Sequence, residues 1–229
     1  MLEGIISEGN KNYRQCCNCI MDTTDPKITF DEKGVCNHCY EYKIAEKEHV
    51  ITGIEGENKI QEIIQHIKSN TKGKKYDCLL GVSGGVDSTY LAHYIKKVMG
   101  LNPLAVHFDN GWNSEIAVNN IHNLVNNLDI DLYTYVIDWE EFKDLQLSYL
   151  KASVLDIDVP TDQLIFATLF KIAKKNKINY VISGNNVVTE SLLPKSWTFA
   201  RKFDLRNLKA IHGKYGSKKL NNFPSLSKW

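Results

Sequence analysis

The peptide Ser83-Gly84-Gly85-Val86-Asp87-Ser88 has the composition and the setting of a phosphate-binding loop. An apolar run over residues 76–82, typical of a buried strand, leads into the two glycines, and a helical pattern follows directly. Glycine lets the backbone approach a phosphate closely and adopt positive φ. The first turn of a helix offers unpaired N–H groups and the positive end of its dipole. We therefore predict that this loop binds the phosphates of a nucleotide, with the serine hydroxyls as extra donors.

An acid inside an anion site needs a cation beside it. Asp87 would repel phosphate, so we expect Mg²⁺ to bridge its carboxylate and the phosphate, which makes Asp87 a catalytic candidate. The peptide fits neither G-x-x-x-x-G-K-[ST] nor G-x-G-x-x-G. It resembles the S-G-G-x-D-S motif of PP-loop ATP pyrophosphatases. That resemblance implies cleavage of ATP between the α and β phosphates while AMP passes to a substrate oxygen; the alternative is a turn that binds nothing.

Two cysteine pairs indicate a second, metal-binding site. Cys16-x-x-Cys19 and Cys36-x-x-Cys39 have the spacing of a structural four-cysteine zinc site. A closed thiolate tetrahedron has no open position for catalysis, so the zinc is expected to hold a small module together. Cys17 and His38 lie within the same peptides and are alternative ligands.

The elements that position these residues follow from apolar patterning. Four isoleucines at helical spacing predict a helix over about 57–69. Beyond residue 76, short apolar runs alternate with helical stretches, which predicts a doubly wound parallel α/β sheet covered on both faces, with ligands at the carboxyl ends of its strands. The predicted strands are 76–82, 103–108, 131–137 and 178–183, and the predicted helices are 88–99, 114–127, 139–151 and 162–176.

We divide the chain into a zinc-binding module (1–50), a linking helix (51–75) and an ATP-binding α/β domain (76–229), whose tail from about Lys195 is expected to be basic and irregular. Six further residues are site candidates: a nucleotide or metal contact after the second strand, three substrate or Mg²⁺ contacts, one of them at a helix start, and two catalytic cations after the last strand. They are Asp109; Asp162, Asn185 and Glu190; and Lys195 and Arg201. Turn, first-turn and solvated roles remain alternatives for them.

Bulk properties favour small-molecule chemistry. The formal net charge is +1 from 28 basic and 27 acidic residues, which is unlike a nucleic-acid binder. The first residues do not resemble a signal peptide, and no apolar run approaches a membrane span. We expect a cytoplasmic protein whose six cysteines are reduced.

Several peptides together resemble the N-acetyl sugar amidotransferase family of PP-loop proteins, known from lipopolysaccharide and flagellin-sugar biosynthesis. They are Arg14–Cys16, Cys19–Pro26, Gly34–Cys39, Tyr76–Cys78, Ser83–Ser88, His107–Trp112 and Pro160–Asp162. The resemblance implies that ATP activates the acetamido group of a nucleotide-linked sugar and that ammonia from a glutaminase partner converts it to an acetamidino group. Members of that family usually continue further, so this chain is expected to be a shortened or incomplete form.

Two other functions remain open. One is a tRNA-modifying PP-loop enzyme such as a thiouridine synthetase, which activates a base carbonyl by the same adenylation. Against it stand the neutral charge and the lack of a C-x-x-C pair after residue 78. The other is a noncatalytic ATP-binding scaffold, for which an acid beside the phosphate would serve no purpose.

Overall fold

The computed structural model describes residues 13–185, 194–197 and 202–225. Contacts divide the chain into two compact units, one of residues 1–53 and 185–199 and one of residues 54–184 and 200–229. The helices and strands are α1 (Asn37–His49), α2 (Gly53–Thr71), β1 (Cys78–Val82), α3 (Val86–His93), a π-helical turn (Tyr94–Val98), β2 (Pro103–Asp109), α4 (Glu115–Leu128), β3 (Asp131–Val136), α5 (Trp139–Ala152), α6 (Val159–Lys175), β4 (Val181–Ile182), a 3₁₀ turn (Lys195–Trp197) and α7 (Leu205–Tyr215).

The larger unit contains a parallel sheet in the order β3-β2-β1-β4. Because the order reverses at β1, the carboxyl ends of β1 and β4 form a topological switch point. Alternate residues of β1 face two different cores. Leu80 packs with α2, α3 and α4 on one face, and Leu79 packs with α6 on the other. The predicted doubly wound α/β class is confirmed.

The described elements differ from the predicted ones in extent. The helix predicted from 88 runs as α3 and then changes to π-helical geometry, and the last predicted strand is reduced to β4. The strand β3 is mostly exposed instead of being a buried run, because it is the outermost strand of the described sheet. Apolar periodicity reports burial on one face and does not reveal which strand lies at an edge.

The tail was wrongly predicted to be irregular. Residues 205–215 form α7, capped by the Asp204 side chain, which accepts hydrogen bonds from the N–H groups of Arg206 and Asn207. Leu208 of α7 is buried against α5. The sequence of this helix is mostly polar and shows no wide apolar stripe, because Leu208 makes much of its packing contact.

Two buried carboxylates on α5 hold the chain that follows α7. Asp144 accepts hydrogen bonds from the N–H groups of Ser217 and Lys218 and from His212 Nε2, and Glu141 accepts from the N–H groups of residues 221–223. Burial alone would raise the pKa of Asp144, but these donors hold it well below its usual range. Backbone donors therefore satisfy charges that would otherwise be costly to bury.

The smaller unit contains α1, which was not predicted from the sequence. Cys39 is the only buried residue of this helix, so its peptide shows no apolar stripe from which a helix could be predicted. Two antiparallel bridges, Gln15 with Asp22 and Phe30 with Cys36, form the rest of the local pairing. In the described part of the chain, no helix is both long and apolar enough to cross a membrane.

Candidate functional site

The loop after β1 is braced by its own serines. Ser83 N–H donates to Ser88 Oγ at 3.2 Å, the two hydroxyl oxygens are 3.2 Å apart, and Ser88 Oγ–H donates to the Gly85 carbonyl at 3.2 Å. The hydroxyls that the sequence predicted as phosphate donors therefore also fix the shape of the loop. A loop held in this way needs little reordering when it binds an anion.

The loop leaves the start of α3 without a side-chain cap. Gly85 is the N-cap residue of α3, whereas Ser114 caps α4 and Asp138 caps α5. Val86 in the first turn is 80% exposed, and Asp87 is also exposed. The first-turn N–H groups are therefore accessible donors at the positive end of a helix, which suits phosphate.

Gly84 is fixed against α4 and has no room for a side chain. Its φ is +78°, and an added Cβ would lie 2.4 Å from the carbonyl oxygen of Ala117. The Asn120 side chain also donates to the Gly84 carbonyl at 3.0 Å. The tight turn that presents the loop thus requires glycine at this position.

A hydrogen-bonded chain links β1 to Asp109 at the end of β2. His107 Nδ1 is 3.1 Å from the Val82 carbonyl, which can only accept, so Nδ1 carries the hydrogen. The Asn113 amide donates to His107 Nε2 at 3.3 Å and to Asp109 Oδ1 at 2.9 Å. The network orients Asp109 and leaves Oδ2 without a donor from the described residues. Sequence reasoning missed His107 and Asn113, although the four-residue spacing of Asp109 and Asn113 was a possible signal.

The carboxyl end of β4 lies beside the phosphate loop. A Cβ added to Gly184 would be 3.7 Å from the backbone carbonyl carbon of Asp87, so the two chain segments are in contact. Asn185 follows directly. Glu190, Arg201 and the side chain of Lys195 lie outside the described residues.

The structure pairs Asp162 with a lysine. Lys202 Nζ is 2.7 Å from Asp162 and 3.3 Å from Asp156, and the Lys202 carbonyl accepts from the Gln163 amide. The bond to Asp162 raises the pKa of Lys202. Among the described residues, this acid takes part in a clamp on the chain before α7 and makes no hydrogen bond to the loop.

A cavity of about 650 Å³ adjoins the loop between α3 and α4. Its lining residues include Gly84, Gly85 and Val86 of the loop and Asn123 and Leu124 of α4. A cavity of this volume is within the range of small-molecule sites. It is therefore large enough to hold a small molecule next to the loop.

The four cysteines of the two pairs come together in the smaller unit. Their sulfurs all lie within 4.8 Å of one another, with separations of 3.8 Å for Cys16 and Cys39 and 3.6 Å for Cys19 and Cys36. A tetrahedron of sulfurs about 2.3 Å from zinc has edges of about 3.8 Å, so the four residues fit this metal. Cys17 and His38 are not part of the cluster.

The environment of the thiols differs from sulfur to sulfur. Burial would raise the pKa of Cys16, but the N–H groups of Asn18 and Cys36 point at its sulfur and lower it to about 6. Backbone N–H groups that stabilise a thiolate are suited to a metal ligand. By contrast, burial in β1 raises the pKa of Cys78 to about 12, so that thiol stays protonated as a small apolar side chain.

A glycine loop at the switch point, an uncapped helix start and an exposed acid are the features expected of an α/β protein of the PP-loop type. The NAD synthase family model matches residues 57–191, which is more than half of the chain. The chain therefore belongs to the NAD synthase family. This membership confirms the predicted PP-loop superfamily.

Individual relatives were also found. An uncharacterized protein of Methanocaldococcus jannaschii is 25% identical over 76% of this chain and 59% of its own length. The glutamine-hydrolyzing GMP synthase of Pyrobaculum aerophilum is 36% identical over 38% of this chain and 16% of its own length. The chain thus spans less than two thirds of either relative. A glutamine-dependent NAD⁺ synthetase from Acinetobacter baumannii, solved in complex with ADP, is 18% identical over 72% of this chain and 31% of that one, with a TM-score of 0.44.

Proposed function

We propose that this protein is an ATP-dependent amidotransferase that converts the acetamido group of a nucleotide-linked sugar to an acetamidino group in surface glycan biosynthesis, such as that of lipopolysaccharide O-antigen. The reaction class rests on the phosphate loop, whose uncapped amides and exposed Asp87 lie at the switch point. The choice of substrate rests on the sequence resemblance to N-acetyl sugar amidotransferases.

The chemistry requires two displacements. The acetamido oxygen attacks the α phosphorus of ATP, and pyrophosphate leaves toward the loop amides. Ammonia then adds to the activated carbon, AMP departs with the former acetamido oxygen, and loss of a proton gives the acetamidino group. ATP is needed because an amide oxygen is otherwise a poor leaving group. Amides preorganised at the loop stabilise the charge that develops on the departing phosphates.

We assign roles to the chain's own residues on this basis. The loop would hold pyrophosphate, and Asp87 would hold Mg²⁺ against it. Asp109 would make a nucleotide or metal contact through Oδ2, since Oδ1 accepts from the Asn113 amide. Lys195 and Arg201 are proposed to stabilise phosphate charge. Asn185, Glu190 and Asp162 are proposed substrate or Mg²⁺ contacts, and for Asp162 this would require opening its pair with Lys202.

We propose that ammonia comes from a glutaminase partner in the cytoplasm. The name of the Pyrobaculum aerophilum relative includes glutamine hydrolysis, which supports an ammonia supply of this kind. The four-cysteine cluster is proposed to bind zinc as a structural ion, since its closed thiolate set leaves no position for a substrate.

The decisive experiment follows the acetamido oxygen. The protein is incubated with ATP, Mg²⁺, ammonium and UDP-N-acetylglucosamine or other acetamido-sugar nucleotides, with a heavy oxygen isotope in the acetamido group. We expect pyrophosphate, AMP that carries the heavy oxygen, and a sugar in which NH replaces that oxygen. ADP as the only nucleotide product would exclude the pyrophosphatase reaction, and AMP formed only with tRNA would identify a tRNA-modifying enzyme instead.

A matched pair of variants tests the role of Asp87. Asp87→Asn and Glu115→Gln each remove one carboxylate from the first turn of a helix, α3 or α4, at a similar cost of about 0.3–1 kcal/mol in helix-dipole energy. We expect AMP formation to fall by two orders of magnitude or more only in Asp87→Asn, roughly the loss caused by removing one electrostatic stabiliser. Equal activity of the two variants would remove Asp87 from the mechanism.

A further inference from the structure

The smaller unit contains a buried carboxylate that joins three separate parts of the chain. Asp25 is 1% exposed. Its Oδ1 accepts from the Ser196 hydroxyl at 2.6 Å and from Lys27 N–H at 3.1 Å, and its Oδ2 is 2.6 Å from His38 Nε2. These donors, the Ser196 hydroxyl foremost, hold the pKa of Asp25 below its usual range. Both oxygens of this charged carboxylate therefore have hydrogen-bond partners, and the carboxylate is a junction between the three parts of the chain.

One partner of this junction lies inside the metal-binding peptide. His38 stands between Cys36 and Cys39 in the first turn of α1. A metal held by those two cysteines fixes the backbone of that turn and, with it, the His38 ring. Asp25 follows Cys19, the ligand from the other pair, by six residues. Metal binding thus constrains both sides of the Asp25–His38 contact.

The other partner comes from a distant part of the sequence. Ser196 is 171 residues from Asp25, yet residues 185–199 belong to the same compact unit as the cysteine module. Pro194 is buried, and the N–H of Trp197 donates to its carbonyl at 2.9 Å. In the sequence, this segment follows β4 and Gly184. Residues 194–197 are thus tied to the cysteine module through Ser196.

We propose that Asp25, His38 and Ser196 couple metal binding at the four cysteines to the position of residues 194–197. Zinc would then do more than fold a module, because it would also fix the chain that carries Lys195. Asp25 and Ser196 are positioning residues in this scheme. The consequence for catalysis rests on the proposed function, whereas the structural coupling does not.

The structural half is tested by hydrogen exchange. Ser196→Ala removes the hydroxyl, and Ser196→Thr is the matched control because it keeps it. In the zinc-loaded protein, we expect amide exchange in peptides covering residues 194–199 to rise about tenfold in Ser196→Ala and to stay near the wild-type rate in Ser196→Thr, since a hydrogen bond to a charged group is lost only in the first. Unchanged exchange in Ser196→Ala would overturn the coupling.

Linkage between zinc binding and the Ser196 contact supplies a second test. If zinc stabilises the contact at Ser196, the contact must stabilise zinc by the same factor. Competition with a chelator should therefore show a roughly fivefold to tenfold weaker zinc affinity for Ser196→Ala than for Ser196→Thr. Equal affinities would refute the coupling even if exchange changed.

The catalytic half has a separate readout. With the substrates given above, Ser196→Ala should lower kcat for AMP formation and leave the KM for ATP unchanged, and Ser196→Thr should restore kcat. A changed zinc affinity with unchanged kcat would overturn the catalytic consequence. If no variant and no wild-type protein forms AMP while exchange and affinity behave as expected, the proposed function fails and the coupling stands.

Discussion

Replacing Gly84 with alanine tests the geometry of the phosphate loop most directly. The position combines two costs for a side chain, a φ of +78° and an added Cβ at 2.4 Å from the Ala117 carbonyl oxygen. A left-handed conformation costs a residue with a Cβ about 1–2 kcal/mol, and forcing a methyl group into packed surroundings costs about 1–3 kcal/mol. Gly84→Ala should therefore lower the free energy of unfolding by about 2–5 kcal/mol.

Two other glycines separate these costs. Gly73 has a φ of +80° with nothing within 4 Å of an added Cβ, so Gly73→Ala should lose only the conformational part, about 1–2 kcal/mol. Gly85 has a φ of −78°, and its added Cβ would lie 3.4 Å from Ser83 Oγ, so the stability of Gly85→Ala should change by less than about 1 kcal/mol.

The assay is urea unfolding of the three variants beside the wild-type protein, followed by AMP formation from ATP. Activity should fall in Gly84→Ala and Gly85→Ala, because both add a methyl group to the loop, and should be kept in Gly73→Ala. If Gly84→Ala and Gly73→Ala unfold at the same urea concentration, the close approach of the loop to α4 is not present and the reasoning is refuted.

Three further predictions concern other parts of the molecule. The purified protein should contain about one zinc per chain by atomic emission, and a Cys16→Ser/Cys36→Ser double variant that retains stoichiometric zinc would refute the four-cysteine site. Asp144→Asn should lower the free energy of unfolding by about 2 kcal/mol at neutral pH. The native pKa of this carboxyl is lowered, so the carboxylate stabilises the folded state above the unfolded pKa of about 3.9, and this stabilisation is lost as the pH falls. In urea unfolding, the difference in free energy of unfolding between variant and wild type should therefore disappear below about pH 4. Asn113→Ala should remove one of the two donors to Asp109 Oδ1, leaving the Gly111 N–H, and should reduce kcat/KM for AMP formation about tenfold with little change in stability. An unchanged kcat/KM would argue against a role for that network.

Sequence patterns predicted the structure correctly where the feature depends on a single short peptide. Two glycines between an apolar strand and a helix predicted the turn that leads from β1 into α3, and two C-x-x-C pairs predicted four sulfurs in one place. Alternating apolar runs predicted the parallel sheet and its coverage on both faces. Each signal depends on residues close in sequence, whose conformation and burial follow from their own chemistry.

Elements stabilised by a few specific contacts escaped prediction. The helix α1 buries only Cys39, and α7 depends on Leu208 and on His212 bonded to Asp144. Neither helix shows a wide apolar stripe, so periodicity was weak. The sequence also gave no indication that Asp162 would be paired with Lys202.

The sequence by itself determined the kind of chemistry this chain offers, because a glycine turn that exposes helix amides and a set of closely spaced thiols are local features. Only the tertiary structure decided which distant groups act together. It joined His107 of β2 to the Val82 carbonyl of β1, and it tied Ser196 to Asp25 over most of the chain. Such contacts depend on strand order and on the path of the chain, which are decided by the packing of the whole fold and not by any single peptide.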